Sequence, residues 1–276
     1  MDFQCLQRLC FYDCVISDGC ISHFIADKAL EELELRDCSR VKGDFLNTID
    51  LSALKSLFLS SCDVLNSEHL LSAVERLGEL RELVLLSMSD DIFIGIQAVL
   101  DKMPKLEYLE INDAYEMVCH DYKPLSRLGC LKELDVKYKL PDEAVKAVLQ
   151  GCKELRTLTF RDCTDMSSRG VVEALRCRGT GLRSLTLLSL DLDDVGLVAI
   201  ISACPELTRL EVSGAELSPA LPARAAAARR TVRAGARLWL CLTSTSLSNK
   251  KRLKALYGDY EPMNLEYEEL IIELED

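Results

Sequence analysis

The chain has 276 residues, of which 49% are apolar and 28% charged, and it carries a formal net charge of -12. That balance suits a folded protein with a continuous core and excludes a low-complexity or disordered polymer. An acidic surface is repelled by phosphate, which disfavours nucleic acid and anionic membranes as partners, and no apolar run nears the roughly 20 residues of a membrane-spanning helix.

From the N-terminus, Met1-Asp2-Phe3-Gln4-Cys5 lacks the basic start and long apolar stretch of a secretory leader, so a cytoplasmic or nuclear location is expected. The 13 cysteines include no CxxC pair, and His23, His69 and His120 lie far apart. These spacings predict no metal site and no cofactor. In a reducing compartment most of the thiols are expected to be free and buried, acting as small apolar side chains.

A periodic element then recurs along the chain. Leu6, Leu9, Phe11 and Cys14 follow the pattern L-x-x-L-x-L-x-x-C, as do Leu30, Leu33, Leu35, Cys38 and Leu54, Leu57, Leu59, Cys62. Next come Leu80, Leu83, Leu85, Met88, then Leu106, Leu109, Ile111, Ala114, then Leu131, Leu134, Val136, Lys139. The last three are Leu155, Leu158, Phe160, Cys163, then Leu182, Leu185, Leu187, Leu190, and Leu207, Leu210, Val212, Ala215. Starts are spaced by 24, 24, 26, 26, 25, 24, 27 and 25 residues, a register that chance leucine richness would not hold.

Within each unit the second and third apolar positions lie two apart, which on a strand turns both into the core. Helical spacing follows. Ser67-Glu68 opens a helix bearing Leu70, Leu71, Val74 and Leu77, and Pro141-Asp142-Glu143 opens one bearing Val145, Val148 and Leu149. Ser167 or Ser168 is available as N-cap before Val171-Val172, and Asp193-Asp194 repeats that grammar before Leu197 and Ile200.

Such units must stack to bury their apolar faces. The predicted fold is therefore an α/β leucine-rich-repeat solenoid, a horseshoe with parallel strands on the concave side and helices on the convex side. Residues 1–215 form nine repeats of the cysteine-containing type, 216–258 a degenerate terminal repeat, and 259–276 an acidic tail or capping segment. The ninth-position sulfur is expected in a small buried slot, and Lys139 in that slot predicts a local distortion.

Cys163-x-x-Met166-Ser167-Ser168-x-Gly170-Val171 and Leu192-Asp193-Asp194-x-Gly196-Leu197-x-x-Ile200, followed by Cys204-Pro205-x-Leu207-x-x-Leu210, resemble the cysteine-containing class of leucine-rich repeat. That class resembles the substrate-binding half of F-box/leucine-rich-repeat proteins, receptors of cullin-based ubiquitin ligases, and a related mitotic-exit antagonist without an F-box. The match covers residue 5 to about 215. No F-box counterpart is expected, since the first repeat starts at Leu6. The resemblance implies a substrate-recognition domain, with cullin-ligase adaptor subunits reached through a region missing here. Two readings stay open beside it: part of a longer receptor, or a free-standing scaffold or inhibitor unrelated to ubiquitination.

The outward strand positions are the fifth and seventh of each repeat. Phe58, Val84 and Leu86 fall there on neighbouring strands, predicting an apolar patch, with Tyr108, Glu110 and Asp135 as an acidic rim. The partner expected on this concave face is a protein segment with an apolar anchor flanked by lysine or arginine. Toward the C-terminus, Arg224, Arg229, Arg230 and Arg233 read as a solvated helix face. The tail around Leu270-Ile271-Ile272-Glu273-Leu274 reads as a cap over the last strand or as a strand-adding linear motif. No enzyme is expected: Cys119-His120-Asp121 are neighbours on a connecting loop, and no nucleotide-binding, HExxH or GxSxG motif occurs.

Overall fold

A computed structural model describes residues 6–26, 28–62, 64–73, 76–88, 100, 102–112, 123–137, 140–161, 165–178, 181–232, 237–243 and 269–274. Two compact units divide the chain, residues 1–134 with 151–153 in the first, and 135–150 with 154–276 in the second. Ala114, Cys119, His120, Asp121, Lys139 and Cys163 lie outside the described residues, as does Val74.

The first unit carries β1 (Arg8–Tyr12), β2 (Glu32–Arg36), β3 (Ser56–Ser60), β4 (Glu82–Leu86) and β5 (Tyr108–Asn112). These pair in chain order and in parallel, with Leu9 beside Leu33, Leu33 beside Leu57, Leu57 beside Leu83 and Leu83 beside Leu109. Every repeat therefore holds the same register, as its spacing predicted. Between the strands run α1 (Asp18–Ile25), α2 (Phe45–Thr48) and α3 (Ser67–Ala73). Asn66 accepts the Glu68 N–H through Oδ1 at 2.8 Å, so the cap of α3 lies one residue before the serine.

Strand β6 (Glu133–Lys137) spans the boundary between the units. The second unit continues with α4 (Asp142–Gly151), β7 (Thr157–Phe160), α5 (Ser168–Arg178), β8 (Ser184–Leu187), α6 (Asp194–Ala203), β9 (Arg209–Ser213), α7 (Leu221–Val232), β10 (Leu238–Thr243) and β11 (Glu269–Leu274). Strands β7 to β10 follow in parallel, and β11 closes the row antiparallel to β10, with Leu240 opposite Ile272. The tail thus supplies main-chain partners to what would otherwise be an open edge. Asp193 caps α6 by accepting the Gly196 N–H at 2.7 Å, and the Ser167 hydroxyl accepts the Gly170 N–H at 2.9 Å.

Apolar repeat positions form the core: Leu33, Leu35, Leu57, Leu59, Leu83, Leu85 and their counterparts Leu185, Leu187, Leu210 and Val212 are essentially inaccessible. Each such side chain contributes about 1.5–3 kcal/mol on burial. The ninth-position slot is buried as expected at Cys38, Cys62, Met88, Leu190 and Ala215. Its thiols also act as weak donors, Cys38 toward the Arg36 carbonyl and Cys62 toward the Ser60 carbonyl, both at 3.4 Å. Burial pushes the Cys62 thiol up to about 11 and those of Cys152 and Cys204 up to about 12, so all three stay neutral. The expectation that most thiols are buried holds only for the repeat slots and helix ends. Cys20, Cys130 and Cys177, on helices or a connection, are exposed.

One regularity escaped the sequence reading. The eighth residue of the repeat takes the left-handed conformation at Asp13, Asp37, Ser61, Ser87, Ser189 and Gly214, with φ between 49 and 73 degrees. The turn aims its N–H at the next strand: Asp13 donates to the Arg36 carbonyl at 2.9 Å, Asp37 to Ser60 at 3.0 Å, Ser61 to Leu86 at 2.9 Å and Ser87 to Asn112 at 2.8 Å. Among non-glycine residues, small polar side chains tolerate this region best, which explains a column of aspartate and serine with no β-branched member at these six positions.

Candidate functional site

The outward positions of β3, β4 and β5 lie on the first unit. Register puts Phe58 beside Val84 and Val84 beside Glu110, with Ser60, Leu86 and Asn112 in the next row. The apolar surface is smaller than the sequence suggests. Val84 is 8% exposed, and the Arg36 guanidinium lies 4.0 Å over the Phe58 ring. A cation over an aromatic face is attracted by its quadrupole, so Arg36 covers Phe58 without being bonded to it.

Arg36 belongs to a cluster that sequence reasoning missed. It sits 5.5 Å from the Tyr12 ring centroid and pairs through Nε with Glu34 Oε1 at 2.5 Å, while the Tyr12 hydroxyl donates to Glu34 Oε2 at 2.6 Å. Burial pushes the Glu34 carboxyl up, but bonds from Tyr12 and Arg36 outweigh it and hold the group below the usual range. The same bond to Glu34 drives the Tyr12 phenol up to about 12. All these residues occupy outward columns, and the signal that could have found them was the pairing of opposite charge and aromatic type on adjacent strands.

Of the acidic rim, Tyr108 donates its hydroxyl to Glu110 at 2.8 Å on the same strand. Glu82 and Glu133 occupy outward positions of β4 and β6 and are exposed, with no ion-pair partner among the described residues. Asp135 falls in the second unit, where Arg161 grips both its oxygens at 2.8 and 2.5 Å. It is therefore a satisfied carboxylate. The expectation of a solvated arginine face on α7 fails at Arg229, which is 2% exposed and donates from Nη1 to the Pro205 carbonyl at 3.0 Å.

Asp18, Asp142 and Asp194 each tie one repeat to the next. Asp18 accepts the Lys42 and Gly43 N–H groups, both at 2.8 Å, and Asp142 accepts the Ser167 N–H at 2.7 Å and its hydroxyl at 2.5 Å. Gly170 is required beside Asp142, since a Cβ there would stand 2.0 Å from the carboxyl carbon. Among the described residues no cluster of three or more metal-ligating side chains occurs, and no helix is long and apolar enough to cross a membrane.

No family model matches the chain. It is 28% identical over 163 residues to an F-box/LRR-repeat protein of Arabidopsis thaliana, a match covering 54% of this chain and 65% of that one, so the chain spans less than two thirds of that relative's length. A crystal structure of an internalin from Listeria monocytogenes superposes with a TM-score of 0.59 at 19% identity, covering 92% of this chain and 65% of the other. The crystal structure of the yeast Rad7 and Elc1 complex gives a TM-score of 0.41 at 16% identity, covering 76% and 70%. Repeat register, buried cysteine slot and these likenesses agree: the chain is a leucine-rich-repeat protein of the cysteine-containing type, a protein-interaction fold similar to the F-box/LRR-repeat proteins.

Proposed function

We propose that this chain is the substrate-recognition repeat domain of a ubiquitin-ligase receptor-like protein acting in the cytoplasm or nucleus, and that its contact surface is the outward strand face of the first unit. The observation that carries the reading is the placement of half-buried Phe58 and Leu86 around Val84, beside Glu110 and the exposed carboxylates of Glu82 and Glu133. A partner segment with an apolar anchor between lysines or arginines satisfies both halves of that surface. Arg36 moves off Phe58 or shares its ring when the anchor arrives, and Tyr108 orients Glu110 through its hydroxyl. Asp135, held by Arg161, takes no part. Similarity to an F-box/LRR-repeat protein supports the ligase connection, with the adaptor-binding region lying outside the matched segment.

The test is affinity purification from cell extract with the wild-type chain and with Phe58→Glu combined with Leu86→Glu. The double variant is expected to lose its main partner by at least tenfold, equivalent to about 1.4 kcal/mol. Unchanged recovery would remove this face as the site. Co-purification of cullin and Skp-type adaptor subunits with a longer form of the protein is the expected sign of a receptor, whereas one stoichiometric protein without adaptors points to a scaffold or inhibitor.

A further inference from the structure

The second unit presents a surface of opposite character. Trp239, the single tryptophan of the chain, stands outward on β10 with 44% of its surface exposed, while Leu238 and Leu240 on either side are fully buried. Ile271 on β11 is equally exposed. Cys241 pairs with Ile271 and Trp239 with Glu273, so the indole and Ile271 are diagonal neighbours on one face, within reach of each other.

The row leading to this apolar spot is cationic. Arg209 is the register partner of Trp239. The Arg183 carbonyl accepts the Thr208 and Arg209 N–H groups at 2.8 and 3.0 Å, and the Arg156 carbonyl accepts those of Arg183 and Ser184 at 2.8 and 3.0 Å. Three exposed arginines therefore stand on successive strand rows, about 4.8 Å apart in backbone. Arg209 bonds Glu211 at 3.0 Å and Arg156 donates to the Gly181 carbonyl at 3.1 Å, while Arg183 has no ion-pair partner among the described residues. Glu154 and Glu206 precede the row, so arginine is in excess without being alone. In a chain of net charge -12 such a local excess runs against the average.

We propose that Arg156, Arg183 and Arg209 with Trp239 and Ile271 form a second docking surface, which takes an extended acidic peptide with an apolar side chain seated on the indole. Guanidinium groups bind carboxylates in bidentate fashion, and Trp239 supplies a large apolar contact at the end of the row. Single-stranded nucleic acid is the weaker fit. It is held by several aromatic platforms in a wide basic groove, whereas this face offers one indole on a strongly acidic protein. The surface is independent of the Phe58 face, being confined to the other unit and opposite in charge.

Trp239 reports on its own site. Fluorescence of the full chain is titrated with a short peptide of alternating glutamate and leucine, with its lysine counterpart, and with oligothymidylate. The acidic peptide is expected to give a saturable blue shift that weakens with added salt. Arg156→Glu with Arg183→Glu should reduce its affinity about tenfold or more, with thermal melts unchanged because both side chains are exposed. Phe58→Glu with Leu86→Glu should leave the signal intact, which separates failure of this surface from failure of the other. Absence of saturable binding, equal binding of the lysine peptide, an unaffected arginine double variant, or tighter binding of oligothymidylate overturns the proposal.

Discussion

The two units use one strand grammar but differ on every other side of it. In the first, helices are short, with α1, α2 and α3 holding 8, 4 and 7 residues. In the second, α5, α6 and α7 hold 11, 10 and 12. Charge differs too. The residue after each repeat's first leucine forms an alternating, paired ladder in the first unit, with Lys55 bonded to Glu31 and both Arg81 and Lys132 bonded to Glu107. At the equivalent positions the second unit has Arg156 and Arg183 without carboxylate partners. Register and the buried leucines are fixed by stacking, so variation is confined to what stacking does not see: helix length, and the sign of the outward side chains.

If the strand side is equivalent in both units, the same truncation should cost the same in each. Leu57 and Leu210 occupy one repeat position, pair in register with leucines on both neighbouring strands, and are inaccessible. Leu57→Ala and Leu210→Ala are each expected to lower stability by about 3 kcal/mol in denaturant unfolding. A difference of more than about 1 kcal/mol between them would show that the helix side governs how a cavity relaxes.

A smaller effect separates the inter-repeat aspartates. Asp18 receives main-chain N–H groups only, whereas Asp194 receives the Ser218 N–H at 2.8 Å, the Ser218 hydroxyl, and Arg224 at 3.0 Å. Burial pushes the Asp194 carboxyl up, but the Ser218 and Arg224 bonds outweigh it and hold it below 3.8. A depressed carboxyl stabilises the fold above its unfolded value and loses that contribution as pH falls through the folded one. Asp194→Asn should therefore cost about 1–2 kcal/mol at neutral pH. Melts of wild type and variant should converge as pH drops below about 3.8; a gap that persists in acid would mean that packing, not charge, sets the cost.

The repeat was legible because period and register are one-dimensional properties: leucines 24 to 27 residues apart determine which strands pair and which side chains are buried. The functional face was legible only as columns. That Phe58 and Val84 are neighbours follows from register, but that Arg36 covers Phe58 depends on rotamers and on the competing pull of Glu34. Asp135 was read as a free rim charge because Arg161, one strand and 26 residues away, is invisible to local reasoning. Trp239 and Ile271 were missed together, because a strand that returns antiparallel breaks the parallel period on which the columns depend.

The left-handed turn gives the finest comparison. The first unit places aspartate or serine at this position, Asp13, Asp37, Ser61 and Ser87, whereas the last repeat of the second places Gly214, with φ of 73 degrees. Glycine visits this region freely; another residue gives up about 1 kcal/mol there but retains less freedom when unfolded. A Cβ added to Gly214 would find its nearest atom, Ser189 Cα, at 3.8 Å, an ordinary contact, so any penalty is conformational and not steric. Gly214→Ala is therefore expected to destabilise by about 1 kcal/mol or less, and Ser189→Gly to change stability by no more than a few tenths of a kcal/mol. A large loss on Gly214→Ala would mean that the turn before β10 is tighter than those of the first unit, and that its glycine is demanded by the 3.4 Å bond from Gly214 N–H to the Thr243 carbonyl rather than by the shared turn.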